Sequence, residues 1–499
     1  MRQIIGSIVV FLTAGCFAAA PQNFTMTPEV RAALEHIRAD SLRGDLSFLA
    51  SDLLEGRDTP SRGLDLAAEY IAAQFRRAGL EPGGDNGYFQ TAHMLVVTPT
   101  TRGFALRLSH GNAAFSAQPS EASFRISDAL DLAGAPVFKL DAADAGLIEK
   151  LTAADVENKV VIVEYDPRLM TNLRAAMVKL RQWKPPLIIL VDPTGVMARG
   201  GDDQRVVDPG EPENSRRQVT LRGRAAAEFY ASLKPGLSGA VATVHIDAPE
   251  SRPVTLHNVV AVLRGSDPQL RDTCILLTAH YDHLGMRPDG DGDRIFNGAN
   301  DDGSGTVSVL EVARVLAQLN PRPRRSIVFV TFFGEEKGLI GSRFYARHPV
   351  WPLEKTIAQL NLEQVGRTDS TEGKQINNAT LTGFDFTSLT GFVRRAGELT
   401  GIKVYKNGRN SDPYFSASDN LSLAQVGVPA ETLTVAFDFP DYHRPGDEWQ
   451  KIDYGNMAKV DRAVALSLVM LADSTQTPEW NAEDPKTAPY VRAWREHHP

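Results

Sequence analysis

The chain reads as an α/β protein: a mostly parallel mixed sheet flanked by helices, interrupted by a strand-rich insert. Three observations predict this. Val259 to Leu263, Ile275 to Ala279, Ile327 to Phe333 and Ile357 to Leu362 are near-continuous apolar runs, as strands buried on both faces of a parallel sheet require. Helical patterns at Thr306 to Leu319 and Met457 to Leu471 alternate with them, which is the order of a layered α/β domain. Between about residues 100 and 250 the pattern changes to short apolar runs separated by polar, Gly/Pro-containing stretches.

The elements follow in order. Arg2, the apolar stretch Ile4 to Ala14 and the small residues Ala18 to Ala20 read as an export signal over 1–20. The apolar run is too short for a membrane span. The expected location is therefore exported, either periplasmic or secreted. Cys16 after Ala14-Gly15 raises the alternative of lipid attachment, although Thr13 stands where such signals carry a larger aliphatic residue. The N-terminal region, 21–100, carries two amphipathic stripes. Val30, Leu34, Ile37 and Leu42 form one, and Ala67, Ile71 and Phe75 form the other. Glu55-Gly56-Arg57-Asp58-Thr59-Pro60 between them is a loop signal.

The insert, 101–253, has strand candidates at Val160 to Val163, Leu187 to Val191 and Ala240 to Val244. The α/β region spans 254–475. The polar, proline-containing tail, 476–499, carries no clear pattern. Beyond the leader only Cys274 remains of the two cysteines, so no internal disulfide can close and stability must come from core burial.

Composition narrows the function. The 499 residues are 42% hydrophobic and 23% charged, an ordinary globular balance. A formal net charge of -8 with no dense Lys/Arg block argues against nucleic acid as the partner. No Gly-x-Ser-x-Gly elbow supports a serine hydrolase.

The chemistry-bearing residues gather where the apolar runs end, which is where open α/β sheets bind ligands. His280-Tyr281-Asp282-His283 closes the first run. In an extended chain His280 and Asp282 share a side, which suits an imidazole ligand oriented by a carboxylate. Asn300-Asp301-Asp302-Gly303 turns into a helix, and an acid there can reach two ions or simply cap the helix. Glu335-Glu336 follows another run between glycines. Adjacent buried acids repel unless a cation sits between them, so one can ligate while the other acts as general base. Glu363 ends a fourth run, and His443 lies in Asp441-Tyr442-His443-Arg444. Imidazole with carboxylate suits zinc, or less specifically manganese or cobalt. Asp289-Gly290-Asp291-Gly292-Asp293 lacks the later positions of a calcium loop and reads as a hairpin turn.

In order and type these motifs resemble the co-catalytic di-zinc aminopeptidases, the family of bacterial leucyl aminopeptidase, aminopeptidase Y and glutamate carboxypeptidase II, over about residues 255 to 475. The resemblance implies the zinc-peptidase fold, two zinc ions (with cobalt or manganese as substitutes) and peptide substrates. It implies His280, Asp301, Glu336, Glu363 and His443 as ligands, with Asp301 bridging. It also implies Glu335 as general base, Asp282 behind His280, and hydrolysis at a free amino terminus. A carboxypeptidase, a glutaminyl cyclase and a non-catalytic binding relative share the fold. A carboxypeptidase would need a cation such as Arg367, Arg409 or Arg444. The insert resembles a protease-associated domain, and Leu54-Glu55-Gly56-Arg57 is similar to N-terminal segments of bacterial members. Three positions depart from the family: Glu363 and Asn300 stand where Asp is usual or frequent, and Asn420 where His is frequent. Oligomeric state is not legible from the sequence.

Overall fold

A computed structural model describes residues 24–194, 204–210 and 217–498. The expected leader over 1–20 and Cys16 lie outside them. The chain divides into two compact units, one made of the chain up to Ala92 together with Thr255 onward, the other of His93–Val254.

In the first unit the sheet runs Asn378–Leu381, Ala430–Thr434, Thr356–Leu362, Cys274–His280, Ser326–Phe332 and then the strand Glu250–Leu263 from Thr255 onward. The four central strands are parallel. The flanking pairings are antiparallel, Val259–Leu263 against Ser326–Phe332 and Asn378–Leu381 against Ala430–Thr434. Every residue of Cys274–His280, Ser326–Phe332 and Ala430–Thr434 is buried. That is why Cys274–His280 and Ser326–Phe332 are mostly apolar rather than alternating, while Ala430–Thr434 buries Glu431 against the Thr387 and Thr390 hydroxyls. Register places His280 beside Phe332 and Thr278 beside Asn361. The carboxyl ends of neighbouring strands thus finish on one edge.

Helices cover the sheet. Gly305–Leu316 follows the Asp301 turn, and Tyr454–Asp473 starts at Asp453, whose carboxylate accepts from the Asn456 N–H at 2.9 Å. The N-terminal stripes become helices Pro28–Glu35, Ala39–Leu49 and Arg62–Arg77, the last capped by Ser61 at 3.1 Å from the Leu64 N–H. Ala67, Ile71 and Phe75 are buried as the helical spacing predicts.

The tail differs from its featureless sequence. It forms the helix Ala488–His497, and Trp480 buries its ring while its Nε1 donates to Gly427 O at 2.8 Å. Aromatic packing orders this segment, Trp480 stacking on Tyr490 at 5.0 Å.

The second unit holds its own eight-stranded sheet. Its centre is parallel, from Leu130–Leu140 through Val160–Glu164 and Leu187–Asp192 to Gln218–Arg222. Val160, Ile162, Ile189, Val219 and Val244 fill its core.

Among the described residues no helix is long and apolar enough to cross a membrane.

Candidate metal centre

The five motifs converge at the carboxyl edge of the first unit's sheet. His280 is the last residue of its strand and fully buried. Its Nε2 lies 3.4 Å from Asp301 Oδ1, and its Nδ1 lies 3.5 Å from Asp282 Oδ1. Asp282 is itself fixed, accepting from the Glu335 N–H at 3.0 Å and from Thr59 Oγ1 at 3.1 Å.

Asp301 sits in the irregular turn Ala299–Ser304. The capping role falls to its neighbour, since Asp302 Oδ1 accepts from the N–H groups of Gly305 at 3.0 Å and Gln364 at 3.1 Å. Asp301 is thereby left to face the imidazoles. Asn300 Oδ1 accepts from the N–H groups of Gly366 and Arg367 at 2.8 and 2.9 Å, which docks the Asp301 turn on the Glu363 loop. Asn420 is buried, donating to Phe415 O and accepting from Thr432 Oγ1, so its amide holds backbone and strand together.

Two groups of ligand-type atoms lie within 4.8 Å of one another: His280, Asp301 and Glu363, and His283, Asp301 and Glu336. Asp301 belongs to both. His443 also reaches the second group, its Nε2 at 3.1 Å from Asp301 Oδ2 and 3.4 Å from Glu336 Oε1. It is partly exposed and stacks on Tyr442 at 4.0 Å. His283 is the residue that sequence reasoning passed over. Its odd offset from His280 puts it on the opposite side of an extended chain. The chain leaves the strand after His280, and the turn swings His283 Nδ1 to 2.8 Å from Glu336 Oε1. Asp447 was also unassigned. Buried, it accepts from the N–H groups of Asn300 and Asp301 at 3.0 Å and so pins the Asp301 turn.

The donor set fits a metal. His280 Nε2, His283 Nε2 and Glu363 Oε2 are buried without a hydrogen-bond partner, a costly condition that cation coordination relieves. Imidazole nitrogen with carboxylate oxygen is zinc chemistry. The electrostatics separate the adjacent acids. Burial, with Glu363 and Glu336 nearby, pushes Glu335 well above the usual carboxylate range despite His280. Glu336 is likewise opposed by burial and by Asp301, yet His283 and His443 hold it down at about 2. Environments that push neighbouring acids apart assign different roles to each. Burial raises Glu363 to about 7, with Asp301 and Asp419 adding to it. Burial lowers the His443 pKa, but Asp301 and Glu336 outweigh it and bring it to about 10.

Histidines and carboxylates gathered at the carboxyl edge of such a sheet form a centre suited to a metal-dependent hydrolase. The model of peptidase family M28 matches residues 258–468. A probable zinc metalloprotease of Leptosphaeria maculans is 34% identical over 295 residues, covering 51% of this chain and 67% of that protein. The chain belongs to peptidase family M28. Aminopeptidase YwaD of Bacillus subtilis is 28% identical over 230 residues, 45% of this chain and 47% of that one. The chain spans about half the length or less of several of the curated relatives it matches. Among solved structures, an aminopeptidase from Aneurinibacillus sp. strain AM-1 shares the fold with a TM-score of 0.57. Its identity is 21%, over 88% of this chain and 95% of that one.

Proposed function

We propose that this chain is a two-zinc aminopeptidase, hydrolysing the peptide bond next to a free amino terminus. The observation that carries the reading is Asp301, shared by two buried groups of imidazole and carboxylate. His280 and Glu363 would hold one ion and Glu336 with His443 the other, Asp301 serving both and His283 lying against Glu336. Zinc held there supplies Lewis acidity for a peptide carbonyl and for the attacking water. Glu335, raised and unneeded as a ligand, accepts the proton of that water and hands it to the leaving amine. Asp282 keeps the His280 ring oriented from behind.

Of the three arginines that a carboxypeptidase could turn to a substrate carboxylate, Arg367 is already committed, which leaves Arg409 and Arg444. The Arg367 guanidinium donates to Asp369 at 2.6 Å and to Asp441 at 2.9 Å, and it is 3% exposed. The leader over 1–20 makes the enzyme an exported one, and the His93–Val254 unit is its protease-associated domain.

The test is metal analysis together with a peptide series. About two zinc ions per chain are expected. Acetylating the amino terminus of a good substrate should abolish cleavage, and amidating its carboxyl terminus should matter little. The reverse pattern makes the enzyme a carboxypeptidase, and full activity without metal removes the metallopeptidase reading.

A further inference from the structure

Glu55 to Pro60, a loop by its sequence, overlaps the short 3-10 helix Asp52–Arg57 and reaches into the metal centre. Arg57 is 1% exposed and the largest of the fully buried side chains. A buried guanidinium is costly unless its fork of N–H groups is satisfied. Here those groups go to backbone carbonyls. Nε donates to Tyr281 O at 2.8 Å, Nη1 to Asn297 O at 2.7 Å and to Leu49 O, and Nη2 to Gly298 O at 2.9 Å. Burial lowers its pKa to about 10, with Asp282, Asp447, Asp302 and Asp301 pulling upward, so it stays a cation at neutral pH.

The carbonyls it holds are informative. Tyr281 lies between His280 and Asp282, and Gly298 opens the turn that carries Asp301. The backbone of the same segment joins in. Arg57 O accepts from the His283 N–H at 3.2 Å, and Thr59 Oγ1 donates to Asp282. The approach is close enough to demand glycine at Gly56, which has φ +70. A Cβ there would stand 2.4 Å from Gly285 O and 2.5 Å from Phe296 O.

We propose that Arg57 is a positioning residue for the metal centre. Its single fork locks the Tyr281 turn to the Asn297–Gly298 turn and so sets His280 against Asp301, while Thr59 fixes Asp282 in the same array. The inference rests on the two-zinc reading and assigns that site a support contributed by the N-terminal segment. A merely structural arginine would hold the fold together without changing how tightly the folded protein binds zinc.

The test compares wild type with Arg57→Lys, Arg57→Met and Thr59→Val. Zinc affinity is measured by competition with a chromophoric chelator, coordination by visible absorption of the cobalt-substituted protein, and folding by thermal unfolding. Lysine keeps the charge but has no planar fork. Loss of an outer-shell partner costs metal affinity ~10–100-fold, so Arg57→Lys and Arg57→Met should bind zinc that much more weakly and shift the cobalt bands. Thr59→Val should weaken zinc binding in the same direction. Variants that unfold earlier yet bind zinc with wild-type affinity and give the wild-type cobalt spectrum overturn the proposal. If the Arg57 variants do not fold, Thr59→Val decides by the same two readouts. A wild-type protein that binds no zinc would instead remove the two-zinc reading, an outcome separate from equal binding by wild type and variant.

Discussion

Stripping the metals should destabilise the protein, and more so as pH rises. The perturbation is a chelator followed by exchange into zinc-free buffer. Asp301, Glu335, Glu336 and Glu363 then crowd together in a buried site with His280, His283 and His443 as the nearby partial counter-charges. The signs agree. His443 at about 10 stands above its ordinary value, so its contribution is complete below about 6.5 and is lost as pH climbs through about 10. Glu363 and Asp419, each raised to about 7 mainly by burial, oppose folding increasingly as pH climbs from the usual carboxylate range through about 7. The metal-free protein should therefore lose stability steadily from about pH 5 to about pH 10. Zinc reverses this. At free zinc a hundredfold above Kd each site adds about 2.7 kcal/mol, so two add about 5 kcal/mol. At ~2–4 °C per kcal/mol for a domain of moderate size, Tm should rise by ~10–20 °C. Scanning calorimetry at a series of pH values, with and without zinc, measures both effects. A zinc-insensitive Tm at pH 7, or a metal-free Tm that increases with pH, would refute the reasoning.

Substitutions at three positions probe individual residues. Glu335→Gln should keep zinc content while slowing turnover by ~10²–10⁴-fold, because the amide preserves shape and removes the base; loss of zinc instead would exchange the roles of Glu335 and Glu336. Glu363→Asp should retain measurable activity and Glu363→Ala should lose one zinc, read by metal analysis; an alanine variant with full zinc content takes Glu363 out of the site. Gly298→Ala should lower Tm and zinc content together, because φ is +56 and the new Cβ would meet the His283 ring at 2.4 Å; wild-type Tm and zinc content would mean that the turn yields freely.

The sequence by itself determined the sheet and most of the site's raw material. Strands buried on both faces are mostly apolar, so Cys274–His280, Ser326–Phe332 and Thr356–Leu362 announce themselves, and an acid or histidine closing each run marks the carboxyl edge. Strand periodicity stops where the strand stops, and the rest depended on turns. His283 pointed the wrong way until the chain turned after His280, and Asp447 had no visible partner until its turn met the Asn300 and Asp301 N–H groups. Arg367 was a free cation in the sequence and became a neutralised one only when folding set Asp369 and Asp441 around it. Arg57 lies 224 residues from Tyr281 in the chain. No local pattern encodes a contact between a side chain and a distant carbonyl, since every residue offers the same carbonyl and only the tertiary fold decides which one a buried donor meets.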